Sequence, residues 1–332
     1  MAQMTEMRPG PRYADPAPQC ATCSVRTICN GCRHDDGCEW CFCDGLECGS
    51  CGTKCRSHED RELWQADTGT LELNLHVDRQ PEIELPAFIP SVKLRARMKQ
   101  YLPPWTYTIP INDVIKRDGT PRPSAWRIRE FFPPGSQLIL NFFSEDLYLE
   151  PIWGMGTEFW SGPDSGWLDN FDAIMSINYS LYADDASFEI MNCLKRMQIS
   201  TQEIHDSGRA VIPLLAYIED KQVFELVENY SASQIHTVVV NVQVLGDEKL
   251  SHQRINIERM KYIARHTNWR IIAHGLANRD LILELYDALG PERLVVSNAG
   301  AYFDAMRRPA PNRRGVLAGQ IRKFTSLARG ER

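Results

Sequence analysis

From residue 137 onward, short continuous apolar runs alternate with longer stretches in which apolar residues recur every three or four positions. The runs, rich in Val, Ile, Leu and Phe, predict strands at 137–143, 172–179, 210–217, 237–244, 270–275 and 293–298. The 3.6-residue spacing predicts helices at 186–205, 221–230, 253–265 and 279–289. Strand, helix, strand at this rhythm makes βαβ units and a parallel sheet. Runs such as Val238-Val239-Val240 and Leu294-Val295-Val296 suit strands buried on both faces. With a further strand at 106–111 and a helical tail at 316–327, the expected fold class is α/β, a (β/α)8, TIM-type barrel. An open doubly wound sheet is the alternative.

The pattern also divides the chain. Residues 1–18 read as a disordered start, 19–62 as a cysteine-rich module, 63–135 as a bridging region, 136–310 as the barrel-like domain and 311–332 as a basic tail. Mean hydropathy is −0.36 and no apolar run approaches the ~18 residues of a membrane span, so no membrane partner is expected. The start lacks the apolar stretch of a secretory signal, which predicts a cytoplasmic protein.

Charge is segregated behind a net value of −6. Residues 91–129 carry nine Lys or Arg against two Asp, residues 130–189 carry eleven acidic residues and no Lys or Arg, and 307–332 carry eight cations against one Glu. Basic stretches of this size suit a polyanion such as nucleic acid, and equally serve to neutralise the acidic segment within the fold.

Ten of the eleven cysteines are Cys20, Cys23, Cys29, Cys32, Cys38, Cys41, Cys43, Cys48, Cys51 and Cys55; Cys193 stands alone. Four CxxC pairs (20/23, 29/32, 38/41, 48/51) place two thiolates on one ion through a tight knuckle. With His34 and His58 the ligands fill three tetrahedral zinc sites; the compact spacing also fits an iron–sulfur (4Fe-4S) cluster. So few aliphatic residues accompany them that metal binding must supply the folding free energy, on the order of 10 kcal/mol per structural zinc. Such a module docks nucleic acid or a protein partner, or transfers electrons if it holds iron.

In either α/β architecture the chemistry lies beyond the carboxyl ends of the strands. Those ends carry Asp146, Asn178, Tyr179, Asn241, Gln243, His274 and Asn298. The amides Asn178, Asn241 and Asn298, with Tyr179 and Gln243, read as a pocket that recognises hydrogen-bonding edges; the competing reading is that they cap helices and tie loops. His274, between an apolar run and Gly275, and the carboxylates Asp146 and Asp304 are the catalytic candidates. Trp153, Trp160 and Trp167 read as a stacking lid over a base or a plug of the barrel end. No nucleotide-loop, GxSxG or HExxH motif is present.

The segments FDAIMSINYSLY and AVIPLLAY resemble a phage- and bacteria-associated domain family of unknown function. The succession VIPLLA, TVVVNVQV, IIAHGL and RLVVSNAGAYFDAMRRP is similar to the barrel half of tRNA-guanine transglycosylases and their DNA deazapurine relatives. That resemblance, over about 140 residues, implies base exchange in a nucleic acid, with Asp304 as nucleophile and Asp146 as the second carboxylate. The chain departs from the pattern in lacking the family's Asp-Ser-Gly-Gly, in having Asn298-Ala299 where the DNA relatives tend to have Asp-Ser, and in carrying its metal ligands before the barrel. The function expected is a nucleic-acid-associated, transglycosylase-like barrel enzyme. The alternatives are a non-enzymatic binding protein of a phage or mobile element, and an iron–sulfur redox enzyme.

Overall fold

The computed structural model describes residues 73–331, apart from 74, 79, 81–82, 96–99, 182–186 and 244–248. The ten clustered cysteines, His34 and His58 lie outside the described residues, and with them the expected metal module. The chain divides into two compact units. One takes in 75–178, 200–216 and 226–331 and carries every described strand; the described residues of the other are 73, 179–181, 187–199 and 217–225.

The strands are β1 (Phe88–Pro90), β2 (Thr106–Pro110), β3 (Gln137–Phe142), β4 (Ala173–Ile177), β5 (Val211–Ile212), β6 (Thr237–Asn241), β7 (Arg270–His274) and β8 (Leu294–Asn298). They form two four-stranded sheets, in the orders β1-β8-β7-β6 and β2-β3-β4-β5, and every pairing is parallel. The helices are α1 (Pro123–Trp126), α2 (Asp146–Met155), α3 (Thr157–Ser161), α4 (Ser187–Asp206), α5 (Asp220–Ser231), α6 (Lys249–His266), α7 (Arg279–Leu289), α8 (Gly300–Met306) and α9 (Arg313–Ala328). The α/β class with parallel strands is therefore as the hydrophobic pattern requires. Two strands, β1 and β2, fall within the stretch read as a bridging region, so the strand-bearing part begins at Phe88. No described helix is long and apolar enough to cross a membrane.

Apolar residues cover both faces of the strands, and register separates the faces. One face packs on helices and loops: Phe88 stacks on Phe324 of α9 at 4.7 Å, Phe142 meets Trp160 of α3 at 5.5 Å, and Tyr107 meets Phe132 at 5.2 Å. On the same side, the Thr201 hydroxyl of α4 donates to Ser176 Oγ at 2.7 Å. Trp160 and Trp167 are fully buried in this layer, edge-on to Phe159 at 4.8 and 5.9 Å, and the Trp160 indole donates to Glu203 at 3.1 Å. These two tryptophans are core on the helix-covered side, neither lid nor plug, because their apolar area is worth most where the sheet needs covering.

Between the two sheets the strands meet by single bridges. Ser91 pairs with Thr108, the Val92 N–H donating to the Thr108 carbonyl at 3.0 Å, and Leu214 pairs with Val239, the Leu215 N–H donating to the Val239 carbonyl at 2.9 Å. Side chains reinforce both seams. The Trp105 indole donates to the Phe88 carbonyl at 2.9 Å across β1 and β2. Across β5 and β6 the buried Gln80 amide substitutes for a missing strand pairing: its NH2 donates to the carbonyls of Val211 (3.0 Å) and Thr237 (2.7 Å), and its oxygen accepts from the N–H groups of His236 (2.9 Å) and Thr237 (2.8 Å). The strap that carries Gln80 is itself pinned, Ser233 Oγ donating to the Leu75 carbonyl at 2.7 Å and His205 Nε2 lying 2.9 Å from Asp78.

In the other unit, the Arg196 guanidinium lies 4.0 Å over the Tyr179 ring, and the Gln222 side-chain oxygen accepts from the N–H groups of Ile218 and Glu219 at 2.7 and 3.0 Å, fixing the entry to α5.

Candidate functional site

The face turned away from the helices can be followed by register through Ile89, Ser297, His274 and Asn241, then Val239, Leu214, Ile212, Met175, Ala173, Ile139, Thr108 and Ser91. Its amino-terminal part is aliphatic. Toward the carboxyl ends it becomes polar, with Ser91, Thr108, Asn141, Asn241, His274 and Ser297. Among the described residues it has no carboxylate.

His274 ends β7 and is buried. Its Nδ1 lies 3.2 Å from Ser297 Oγ on the neighbouring strand, and the Phe143 ring lies 4.3 Å from the imidazole at a 30° tilt. Burial, with no carboxylate to favour the cation, pushes its pKa down to about 4. The imidazole is therefore neutral at pH 7. Because the serine hydroxyl can either donate to Nδ1 or accept from it, the pair can present an N–H or a lone pair at Nε2 by rotating one hydroxyl. Nearby on the same face, two buried polar atoms have no hydrogen-bond partner: Thr108 Oγ1 and Asn141 Nδ2. Native interiors satisfy nearly all such atoms, and each orphan costs about 1–3 kcal/mol.

The strand-terminal asparagines divide their labour. Asn141, Asn241 and Asn298 each use their side-chain oxygen to accept from the N–H two residues on, those of Phe143 (3.4 Å), Gln243 (3.0 Å) and Gly300 (2.9 Å), which turns the chain out of the strand. Asn298 is engaged on both amide atoms, since its NH2 also donates to the Leu276 carbonyl at 2.7 Å. The NH2 of Asn141, by contrast, has no partner. Gln243 is exposed beside Gly275, whose positive φ of +86° and close approach, with a Cβ there only 2.6 Å from Gln243 Cβ, admit only glycine. Asn178 is half-buried just past β4. Tyr179 is buried under Arg196 in the other unit.

The two carboxylates differ in setting. Asp146 opens α2 four residues past the end of β3. Asp304 lies within α8, 48% exposed, 3.9 Å from Arg307 on its own helix. A third carboxylate went unnoticed in the sequence: Asp113, just past β2, accepts from the Leu94 N–H at 2.7 Å and is pushed above the usual carboxylate pKa by burial, against the opposing pull of Lys93, Arg122 and Arg95. Among the described residues no three His, Cys, Asp or Glu converge as a metal site.

Thr108 was legible only as one side of an alternation in Thr106-Tyr107-Thr108-Ile109, and Asn141 as the polar interruption of an apolar run. What the sequence hid is that register sets them on one face, thirty-three residues apart.

No family model matches the chain. No curated protein matches it either. Among solved structures, it is similar to the YdjI aldolase from Escherichia coli K12, at 12% identity over 82% of this chain and 97% of that one, with a TM-score of 0.41. It is also similar to the carboxyl transferase domain of Rhizobium etli pyruvate carboxylase, solved with 3-bromopyruvate, at 11% identity over 81% of this chain and 49% of that one, with a TM-score of 0.38.

Proposed function

We propose that the two sheets close through their edge bridges into a (β/α)8 barrel, and that the polar carboxyl-end layer binds an uncharged, planar, hydrogen-bonding ring of the nucleobase kind. The chain is then a nucleic-acid-associated enzyme that modifies or exchanges a base, with the cysteine module, zinc-bound, and the basic segments docking the polyanion. The observation that carries this reading is the neutral His274–Ser297 pair facing Phe143 beside the unsatisfied Thr108 Oγ1 and Asn141 Nδ2. Among the described residues of that face a charged ligand would find no counter-charge, whereas a heterocycle with mixed donors and acceptors finds both kinds of partner and an aromatic plane. Of the two carboxylates the transglycosylase resemblance points to, Asp146 has the better position, since it opens α2 four residues past the end of β3 while Asp304 lies within α8 on a half-exposed helix face.

A second reading draws on the same face. Its neutral, hydrogen-bonding character among the described residues also suits a binding protein of a phage or mobile element, in which the barrel recognises without reacting.

Calorimetric titration of the full-length, metal-loaded protein with purine and pyrimidine bases and nucleosides tests the site. Native protein binds at least one class, and Asn141→Ala and His274→Ala each weaken it about tenfold or more, the loss of one or two buried hydrogen bonds. Unchanged affinity in both variants would remove the site, and turnover lost in Asp146→Asn with binding retained would separate the enzyme from the binding protein.

A further inference from the structure

The loops that follow β8, β1 and β2, three neighbouring strands, are joined to one another and are basic. The Tyr302 hydroxyl of α8 donates to the Lys93 carbonyl at 3.1 Å, and the Leu94 N–H donates to Asp113 past β2 at 2.7 Å. Lys93, Arg95, Lys116, Arg117, Arg307 and Arg308 are exposed in the segments that follow these three strands. Lys93, Arg95 and Arg122 all act on the single carboxylate of Asp113. Among the described residues Lys93, Arg95, Lys116 and Arg117 have no ion-pair partner, and the Arg307–Asp304 contact is long and exposed. The loop and helix after β3 are the reverse, with Glu145, Asp146, Glu150 and Glu158 and no cation.

Six exposed cations against Asp113, Asp118 and Asp304 leave this sector net positive, a charge that an anionic ligand would offset. Strands stand ~4.8 Å apart, so the sector begins one strand from His274 and ends three strands away, within the span of one phosphorylated ring. We propose that the β8–β1–β2 sector binds the phosphate of a phosphate ester whose uncharged ring sits against His274 and Asn141, so that the ligand is a nucleotide unit lying across the mouth with its anionic end away from the acidic loops. This rests on the reading of the neutral layer as a ring site.

The test compares a nucleoside, its 5′-monophosphate, inorganic phosphate and a short single-stranded oligonucleotide on the full-length protein, with the double variant Lys93→Gln/Arg95→Gln and, as control, Arg254→Gln/Arg265→Gln on α6, outside the basic segments. All four side chains are exposed, so the fold should survive both changes. The monophosphate is expected to bind about tenfold or more tightly than the nucleoside. The first double variant abolishes that advantage and leaves nucleoside affinity unchanged, while the control keeps it. An advantage that persists in Lys93→Gln/Arg95→Gln, or equal binding of nucleoside and monophosphate to native protein, overturns the proposal. If no nucleoside or monophosphate binds but inorganic phosphate does, and loses its site in the double variant, the phosphate sector stands and the ring reading falls. An oligonucleotide that binds more tightly than the monophosphate, with a steeper salt dependence that loses about one unit of slope per cation removed, identifies the phosphate as that of a nucleic-acid backbone; equal affinity identifies a free nucleotide.

Discussion

The two ends of the same strands use their polar side chains differently. At the amino-terminal ends two side chains are fully engaged: the Gln80 amide makes four hydrogen bonds, and the Arg293 guanidinium donates to the carbonyls of Trp269, Ala264 and Thr267 at 3.0, 3.1 and 2.7 Å, while the buried Ser136 Oγ before β3 and Arg209 Nε before β5 have no partner. At the carboxyl-terminal ends Thr108 and Asn141 hold buried atoms with no partner, and His274 is kept from its ordinary protonation. The unpartnered atoms at the carboxyl ends share one sheet face with the His274–Ser297 pair, whereas Ser136 and Arg209 lie outside the strands. That difference favours the carboxyl ends as the proposed site.

The sharpest way to break the contrast is at Gln80. Gln80→Leu strands two N–H groups and two carbonyls between β5 and β6 and is expected to lower the unfolding free energy by about 4 kcal/mol, read from urea denaturation. A loss under about 1 kcal/mol would mean the seam does not depend on this amide.

The intermediate test is pH. In the unfolded chain His274 titrates near its ordinary value of 6.5, and in the folded chain near 4. The unfolded state therefore takes up a proton first as the pH falls, so stability contributed by the neutral imidazole is complete above pH 6.5 and declines between 6.5 and 4. Unfolding free energy should drop by about 2 kcal/mol from pH 7 to pH 5 on this account, and the drop should shrink in His274→Gln. A His274→Gln profile that superposes on the native one would place the imidazole in contact with water.

The smallest effect is expected where the site is. Thr108→Val, nearly isosteric, removes an unsatisfied hydroxyl and should leave stability unchanged or raise it by up to about 1 kcal/mol while weakening ring binding. Clear destabilisation would show that the Thr108 hydroxyl is satisfied in the free protein.

Much of the fold was legible because buried parallel strands and amphipathic helices leave strong local patterns; α7 was read to the residue, and β3, β7 and β8 nearly so. The errors have local causes. The run from 210 to 217 yields only two ladder residues in β5 because Pro213 has no N–H to offer, although its carbonyl still accepts from Val239 at 2.9 Å. The run through 244 ends at Asn241, whose side chain captures the Gln243 N–H and turns the chain. β1 is three residues long and closes on Pro90, too short to announce itself. For the site, His274 stood out by its place at a strand end. Which amide was available did not, since Asn141 and Asn298 look alike in sequence and differ only in whether a carbonyl such as that of Leu276 lies within reach.

The Gln80 clasp also sets an order of events in time. Its partners lie 131 and 157 residues downstream, so a chain emerging from the ribosome carries Gln80 for most of its synthesis with nothing to hold. Contacts of such separation form late, after the loop-closure entropy has been met by nearer ones. Until then β5 and β6 present unpaired edges to any other strand at hand. The segment made early is thus among the last to be secured, and the interval before it locks is when this protein is most exposed to misassembly and most in need of a chaperone.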